Sequence, residues 1–338
     1  MNAADDTIAA GTRVLVTGAT GFTGAVLVRR LVEMGLDVRA VARESSDLSA
    51  LEDLDITWFR GDVFDPATVK AACEGALYIF HVAAAFRVSG IPDSVYRDVH
   101  VTSTQWLAQA ALEQPDFRRF VHVSTVGVHG HIETPPANEE TPFHPGDIYQ
   151  QTKAEAETWL HTFAAEHKLP YTVIRPAAIY GPGDTRLLKL FKMALRPFFI
   201  LLGNGKCLYH LIHVEDLVGT MIMAATAPGA LSQAFICGNP ASMTLEGIGR
   251  IAAEALAHKV RVLRLPAWPV FMLADLSEAV CRPLHLKPLL YRRRVAFFTK
   301  DRSFDTSKLR DVLGYTCRHT NEEGIADTAR WYREHDWL

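Results

Sequence analysis

Near its start the chain carries a short apolar run, Val14–Val16, that stops at a glycine and restarts as an amphipathic segment: RVLVTGATGFTGAVLVRRLVEMG. Gly18, Gly21 and Gly24 stand at GxxGxxG spacing, and Val26, Leu27, Leu31 and Val32 follow at helical spacing until Gly35 closes the segment. A strand, a glycine turn and a helix in that order make a cradle for a dinucleotide. The first glycine permits the tight turn, the second lets the backbone approach a pyrophosphate, and the third lets helix and strand lie close together. The helix N-terminus favours the negative charge.

The alternation continues. DVRAVAR, ITWFRGDVFD, ALYIFHVAA, RFVHVSTVGV and YTVIRPAAIYG read as further strands, with helices expected at Thr68–Glu74, Val99–Glu113 and Gln150–His167. Strands alternating with helices predict an α/β fold, a doubly wound parallel Rossmann sheet. After Gly181 the rhythm changes. LIHVEDLVGTMIMAA and QAFICGNP read as a helix and a strand that rejoin the sheet. The expected division is a dinucleotide-binding domain at 11–182, with 209–240 returning to it, and a smaller, mostly helical substrate lobe from 183–208 and 241–338.

A length of 338 residues suits that plan, and a net charge of −3 gives no electrostatic case for binding nucleic acid. Cys73, Cys207, Cys237, Cys281 and Cys317 lie far apart and read as reduced thiols. The N-terminal residues lack a basic stretch followed by an apolar core, so a signal peptide is not expected and a cytoplasmic location is. Two stretches are strongly apolar. Leu187–Leu202 carries Lys189, Lys192 and Arg196 at helical spacing along one face; Ala267–Leu290 is broken by Pro269, Pro283 and Pro288 and followed by Arg292, Arg293 and Arg294. The first reads as a helix that either roofs an apolar pocket or lies in a membrane interface. Peripheral contact at the inner face of a membrane, and a homodimer, are both compatible with the sequence.

Tyr149 and Lys153 in YQQTK are one helical turn apart on one face. A neighbouring ammonium favours the phenolate, which brings a tyrosine into range as a proton-transfer group. Either Ser124 or Thr125, at the end of the fifth strand, supplies a hydroxyl for the substrate oxygen. Where an acid would hold a ribose diol, the second strand ends in Ala42-Arg43, which favours NADP over NAD. Asp62, after the third strand, is placed for the adenine edge or else caps a turn. His81, His100, His129 and His213 show no metal-ligand spacing, so no metal is expected. The proline-rich loop from His131 to Asp147 stands just before Tyr149 and reads as a lid.

Together GATGFTG, GDVFD, IFHVAA, HVSTVGVHG, YQQTK, IRPAAIYGPGD and LIHVEDLV resemble the extended short-chain dehydrogenase/reductase (NAD-dependent epimerase/dehydratase) family. The resemblance implies Thr125, Tyr149 and Lys153 as the catalytic residues. It implies a cofactor site of Gly18, Thr20, Gly21, Phe22, Thr23, Gly24, Arg43, Asp62, Val63, Ala83, Ala84, Ser124, Lys153 and Pro176. It places Phe86, Val126, His129 and Ala178 against substrate.

Departures narrow the branch. Val126-Gly127 stands where sugar-nucleotide dehydratases carry Asp-Glu, and Ala177-Ala178 where epimerases usually carry an asparagine that holds a diphosphate. His100 replaces the family's asparagine, which leaves a proton relay through that position open. IYGPGDTRLLKLF, GNGK, LPAWPVFMLADL and SFDTSKLRDVLGY are most similar to the 3β-hydroxysteroid and sterol-4α-carboxylate 3-dehydrogenases, with dihydroflavonol-reductase-like proteins sharing much of this. The resemblance thus implies an oxidoreductase interconverting a secondary alcohol and a ketone on an apolar polycyclic substrate. Sugar-nucleotide epimerisation and dihydroflavonol-type reduction are the alternatives. NAD remains the alternative cofactor, since sterol-oxidising members often use it.

Overall fold

The computed structural model describes residues 8–85, 91–281 and 301–338. Seven parallel strands form the central sheet: β1 (Arg13–Thr17), β2 (Asp37–Ala42), β3 (Thr57–Arg60), β4 (Tyr78–His81), β5 (Arg119–Val123), β6 (Tyr171–Pro176) and β11 (Gln233–Cys237), in the order β11-β6-β5-β4-β1-β2-β3. The order reverses at β1, and a crevice opens there beyond the strand ends, where ligands bind in such sheets. The inner strands are buried on both faces, so their side chains serve two cores in alternation, whereas β3 at the edge is only partly buried. Val14, Val16, Phe80, Val121 and Ile174 face α1 (Phe22–Glu33) and α7 (Val214–Thr226), meeting Leu27, Leu31, Leu217 and Met221. Leu15, Ile79, Phe120 and Val173 face α2 (Pro66–Cys73), α4 (Ser103–Leu112) and α5 (Ile148–His167), meeting Val69, Leu107, Ala111 and Leu160.

The helix expected from Val99 begins earlier. It runs as α3 (Asp93–Arg97), a π-helical turn (Asp98–Thr102) and α4 without a break. The sixth strand is shorter than its sequence suggests. The chain leaves the sheet at Ala177, and β7 (Ala178–Tyr180) pairs with β10 (Leu211–His213) instead. Ala177 N–H still donates to Cys237 in the sheet, while Ala178 N–H donates to His210 outside it. LIH is therefore a strand, and α7 starts only at Val214.

A third core lies in the C-terminal lobe. α6 (Leu188–Ala194) supplies Leu190 and Phe191, α8 (Leu245–Ala255) supplies Leu245, Ile248 and Ala252, and the last helix, Asn321–Glu334, supplies Ile325 and Tyr332. The lobe also holds short ladders, β8 (Phe199–Leu202) with β13 (Val262–Leu265) and β9 (Leu208–Tyr209) with β12 (Met243–Thr244), which the helical reading did not anticipate. The single helix expected over Leu187–Leu202 is corrected: it ends at Ala194, Pro197 follows, and Phe199–Leu202 is extended. Lys189, Lys192 and Arg196 are exposed, but the apolar side, Leu190, Phe191 and Ala194, is spent on the lobe's core. Beyond the helix, Phe198 and Ile200 of the same segment are exposed. Of the second apolar stretch, Ala267–Cys281 forms helix α9, which buries only Ala274, whereas Pro283, Pro288 and Arg292–Arg294 lie outside the described residues. No helix among the described residues is long and apolar enough to cross a membrane.

Candidate active site

The glycine turn after β1 is built for close approach. Gly18 has φ +74°, and a Cβ there would lie 2.7 Å from the backbone of Ala83. A Cβ on Gly24 would stand 2.0 Å from the Gly18 carbonyl oxygen. Gly21 caps α1 with no side-chain hydrogen bond, and the first turn holds no acidic residue. Thr20 and Gly21 are exposed at the mouth of this turn, Phe22 is half-buried, and Thr23 packs behind it. The N–H groups of the first turn are thus left for an anion, as a pyrophosphate requires. The residues present fit a dinucleotide.

At the rim, Arg43 follows buried Ala42 and is exposed. The turn it opens is held by Ser46 N–H on the Arg43 carbonyl and by Arg60, whose Nη2 donates to the carbonyls of Glu44 (2.5 Å) and Ser46 (3.4 Å). Asp62 is exposed and Val63 half-buried beyond β3. Ala83 is buried and Ala84 exposed beyond β4. Pro176 is buried at the end of β6. Phe86 lies outside the described residues.

α5 carries the Tyr–Lys couple, and its start is sharply fixed. Asp147 accepts a hydrogen bond from Gln150 N–H at 2.8 Å, a side-chain N-cap. Tyr149 therefore sits in the first turn, half-buried, with its ring edge-on to His100 at 5.3 Å between centroids. Lys153, one turn on, is 1% exposed and donates from Nζ to the Val123 carbonyl at 2.9 Å, which brings it to the end of β5. Burial drives its pKa down to about 8, against the raising effect of the Glu157 charge. Thr125, two residues beyond Val123, caps the short turn Val126–His129: its Oγ1 accepts from Gly127 N–H at 3.0 Å. That leaves the Thr125 hydroxyl proton to be donated. The turn abuts α5, since a Cβ on Gly127 would lie 3.3 Å from Gln150. Thr125, Tyr149 and Lys153 are thus gathered at the carboxyl end of β5.

Two expected site residues face elsewhere. The Ser124 hydroxyl is buried and donates to Glu157 Oε2 at 2.5 Å, so its side chain is committed inside the protein. His129 is 1% exposed and packs on Phe143 and Phe304, behind the site. Both follow from one buried network that spacing could not reveal. Glu157 lies one turn beyond Lys153 and also accepts from Arg175 on β6, at 2.7 Å. Its carboxyl falls below the ordinary range: burial opposes this, but bonds from His161, Arg175 and Ser124 and the Arg175 charge outweigh it. Arg175 donates further to the Glu139 carbonyl.

That contact is one of several that tie down the 131–147 loop, the segment expected as a lid. Glu139 accepts from Ile236 N–H, Ala137 pairs with Ser303 and Asp305, and His144 N–H donates to Val128. At these points the segment forms a wall tied to the sheet, to 303–305 and to Val128. Val126 is half-buried against it, packing on Ile132, Ala137, Ile236 and Phe304, while Ala178 is half-buried in β7 against the lobe's core.

One histidine–carboxylate cluster forms that the sequence did not suggest. Ligand atoms of His213, Asp216 and His319 lie within 4.8 Å of one another. The Asp216 carboxylate already accepts from Tyr315 Oη, Arg318 N–H, His319 N–H and His319 Nδ1. Saturated in this way, it ties the 315–319 segment to the start of α7. His213, stacked on His319 at 4.0 Å, is driven down to about 4 by burial first and its histidine neighbour second.

Residues 14–238 match the model of the NAD dependent epimerase/dehydratase family. The chain is 29% identical to sterol demethylase protein B of Methylococcus capsulatus over 95% of its own length and 98% of that protein's. It is 29% identical to a 3 beta-hydroxysteroid dehydrogenase/Delta 5→4-isomerase of Mycobacterium tuberculosis, covering 95% of this chain and 90% of the other. Among solved structures, that of gox2253 superposes with a TM-score of 0.81 at 27% identity, over 96% of this chain and 99% of that one. With the glycine cradle and the Thr–Tyr–Lys cluster in place, the chain belongs to the NAD dependent epimerase/dehydratase family and is a dehydrogenase/reductase of the extended short-chain type.

Proposed function

We propose that the protein interconverts a secondary alcohol and a ketone on an apolar, polycyclic substrate of the 3β-hydroxysteroid kind. The bound nicotinamide supplies the hydride acceptor or donor. In the oxidative direction Tyr149 Oη takes the hydroxyl proton, Thr125 Oγ–H donates to the same oxygen, and the Lys153 ammonium favours the phenolate. Reduction runs these transfers backwards. Where the substrate carries a carboxylate beta to the new ketone, decarboxylation follows without a further catalytic group, because the ketone is the electron sink.

The observation that carries this reading is the wall beside Thr125. Val126 is half-buried and apolar, backed by the buried cluster of Ile132, Ala137 and Phe304, and β7 opens on half-buried Ala178. Arg175, a cation close to this wall, is buried and bound to Glu157, so its charge is withheld from a diphosphate. The names of the sterol relatives support the same class. The test is a panel of 3β-hydroxysteroids, with and without a 4α-carboxylate, beside UDP-hexoses. Steroid-dependent formation of reduced cofactor is expected; turnover of UDP-hexoses alone contradicts the proposal.

The cofactor is NADP on this reading, held by exposed Arg43 at the end of β2. Arg43→Ala is expected to weaken NADPH binding roughly 10- to 100-fold, the value of a charge-assisted hydrogen bond of about 1.5–3 kcal/mol. NADH binding should stay within about twofold. Equal losses in fluorescence titrations of the two cofactors would reverse the assignment.

A further inference from the structure

His100 sits in the π-helical turn between α3 and α4 and is fully buried. A π turn holds one residue more than the α-helix around it, and such turns often mark functional sites. Here the turn carries an imidazole into the space between the sheet and α5. Both ring nitrogens are engaged. Ala85 N–H donates to Nε2 at 3.0 Å. Nε2 therefore holds a lone pair, and in a neutral ring the proton is on Nδ1. Burial keeps the ring neutral, with a pKa driven down to about 2. Nδ1–H then donates to Thr152 Oγ1 at 2.7 Å. Thr152 in turn donates to the carbonyl of Ile148, at 2.8 Å, with that of Tyr149 at 3.2 Å.

The chain of bonds is closed, running from the backbone beyond β4 through His100 and Thr152 to the first turn of α5. The Thr152 proton, the last in the chain, goes to the carbonyls of Ile148 and Tyr149, and a carbonyl cannot pass a proton on. The near end is fixed too: Val82 N–H donates to the Thr17 carbonyl, and Ala83 N–H lies 3.4 Å from Thr17 Oγ1. The 82–85 segment is thus strung between the Gly18 turn and His100. The far end bears on Tyr149, whose ring meets His100 edge to face.

We propose that His100 is a positioning residue that fixes the spacing between the Ala83–Ala85 segment of the cofactor crevice and the Tyr149 hydroxyl, and that it carries no proton during turnover. The inference rests on the assignment of Tyr149 as the proton-transfer group.

Three variants separate its two bonds. His100→Gln offers an amide oxygen to Ala85 N–H, His100→Asn offers an amide N–H to Thr152, and His100→Ala offers neither. Two readouts are used on the full chain. NADPH and NADH titrations need no substrate, and turnover with a 3β-hydroxysteroid reports on Tyr149. A wild type that binds cofactor but does not turn over the steroid fails the proposed function, while the titrations still test the Ala85 bond.

His100→Ala is expected to bind cofactor several-fold more weakly and to lose roughly 10- to 100-fold in kcat, the scale of a displacement near 1 Å at a reacting group. Gln should restore cofactor binding more than kcat, and Asn kcat more than binding. The pH profile should keep its limbs in all three. Wild-type behaviour of the Ala variant would overturn the proposal. So would equal loss in all three variants, or a pH limb that disappears with the imidazole, the signature of a proton carrier.

Discussion

At the residue scale the site depends on groups that are buried and mutually committed. Glu157 is the hinge of this arrangement, accepting from Ser124, His161 and Arg175 at once. Removing its charge leaves the 4%-exposed Arg175 without a counter-ion. Glu157→Gln is expected to cost about 3 kcal/mol or more, the scale for breaking a buried ion pair, read as a lower denaturant midpoint. A loss below about 1 kcal/mol would show that the network is dispensable. Lys153 gives a pH prediction. With a pKa lowered to about 8, its ammonium is lost as pH rises through that value, and its support for the Tyr149 phenolate goes with it. Turnover should therefore fall on the alkaline side of about pH 8, and that limb should be absent from Lys153→Met, itself much slower. An alkaline limb that survives in the Met variant would assign the titration to another group.

At the scale of elements, the glycine turn and α1 act as one piece. Gly24→Ala places a methyl carbon 2.0 Å from the Gly18 carbonyl oxygen, so α1 must shift away from the turn. The expected outcome is a destabilisation of roughly 1–3 kcal/mol, as for overpacking, with cofactor binding weakened more than tenfold. A thermal melt and an NADPH titration check both; unchanged binding would mean that the turn does not set the cradle. This element was fully legible in the sequence, because its chemistry is local: a strand, three glycines and an amphipathic stripe. The Tyr–Lys couple was legible for the same reason. What opposes a residue from another element was not. Ser124 and Thr125 are neighbours at a strand end, and only the position of Glu157 on α5 decides which hydroxyl turns inward. AAIY continues an apolar strand by pattern, yet the chain changes sheets at Ala177 because His210 and β10 wait outside. The Leu187–Leu202 segment showed helical spacing of its cations, but Pro197 separates a two-turn helix from a strand whose partner lies some sixty residues on.

Across the whole molecule, two cores on either side of the sheet and a third in the lobe meet at the crevice. Straps hold the lobe in place: Asp216 binds the 315–319 segment, Tyr332 donates to the Asp184 carbonyl, and Phe304 N–H donates to His210. The alternation of strands and helices made the doubly wound parallel sheet readable, whereas the lobe's short ladders were hidden because two- to four-residue strands carry little periodicity. The central claim is that this scaffold positions Tyr149 to move the proton of a secondary alcohol with net transfer of hydride. The most direct measurement compares wild type with Tyr149→Phe on a 3β-hydroxysteroid, following reduced cofactor and ketone together. The account predicts one ketone per reduced cofactor in the wild type, and in the variant an intact melt, unchanged cofactor binding and a turnover lower by about 100-fold or more, the scale for a positioned acid or base. Turnover in the variant within a few-fold of wild type, or product formed with no net change in the cofactor, would contradict it.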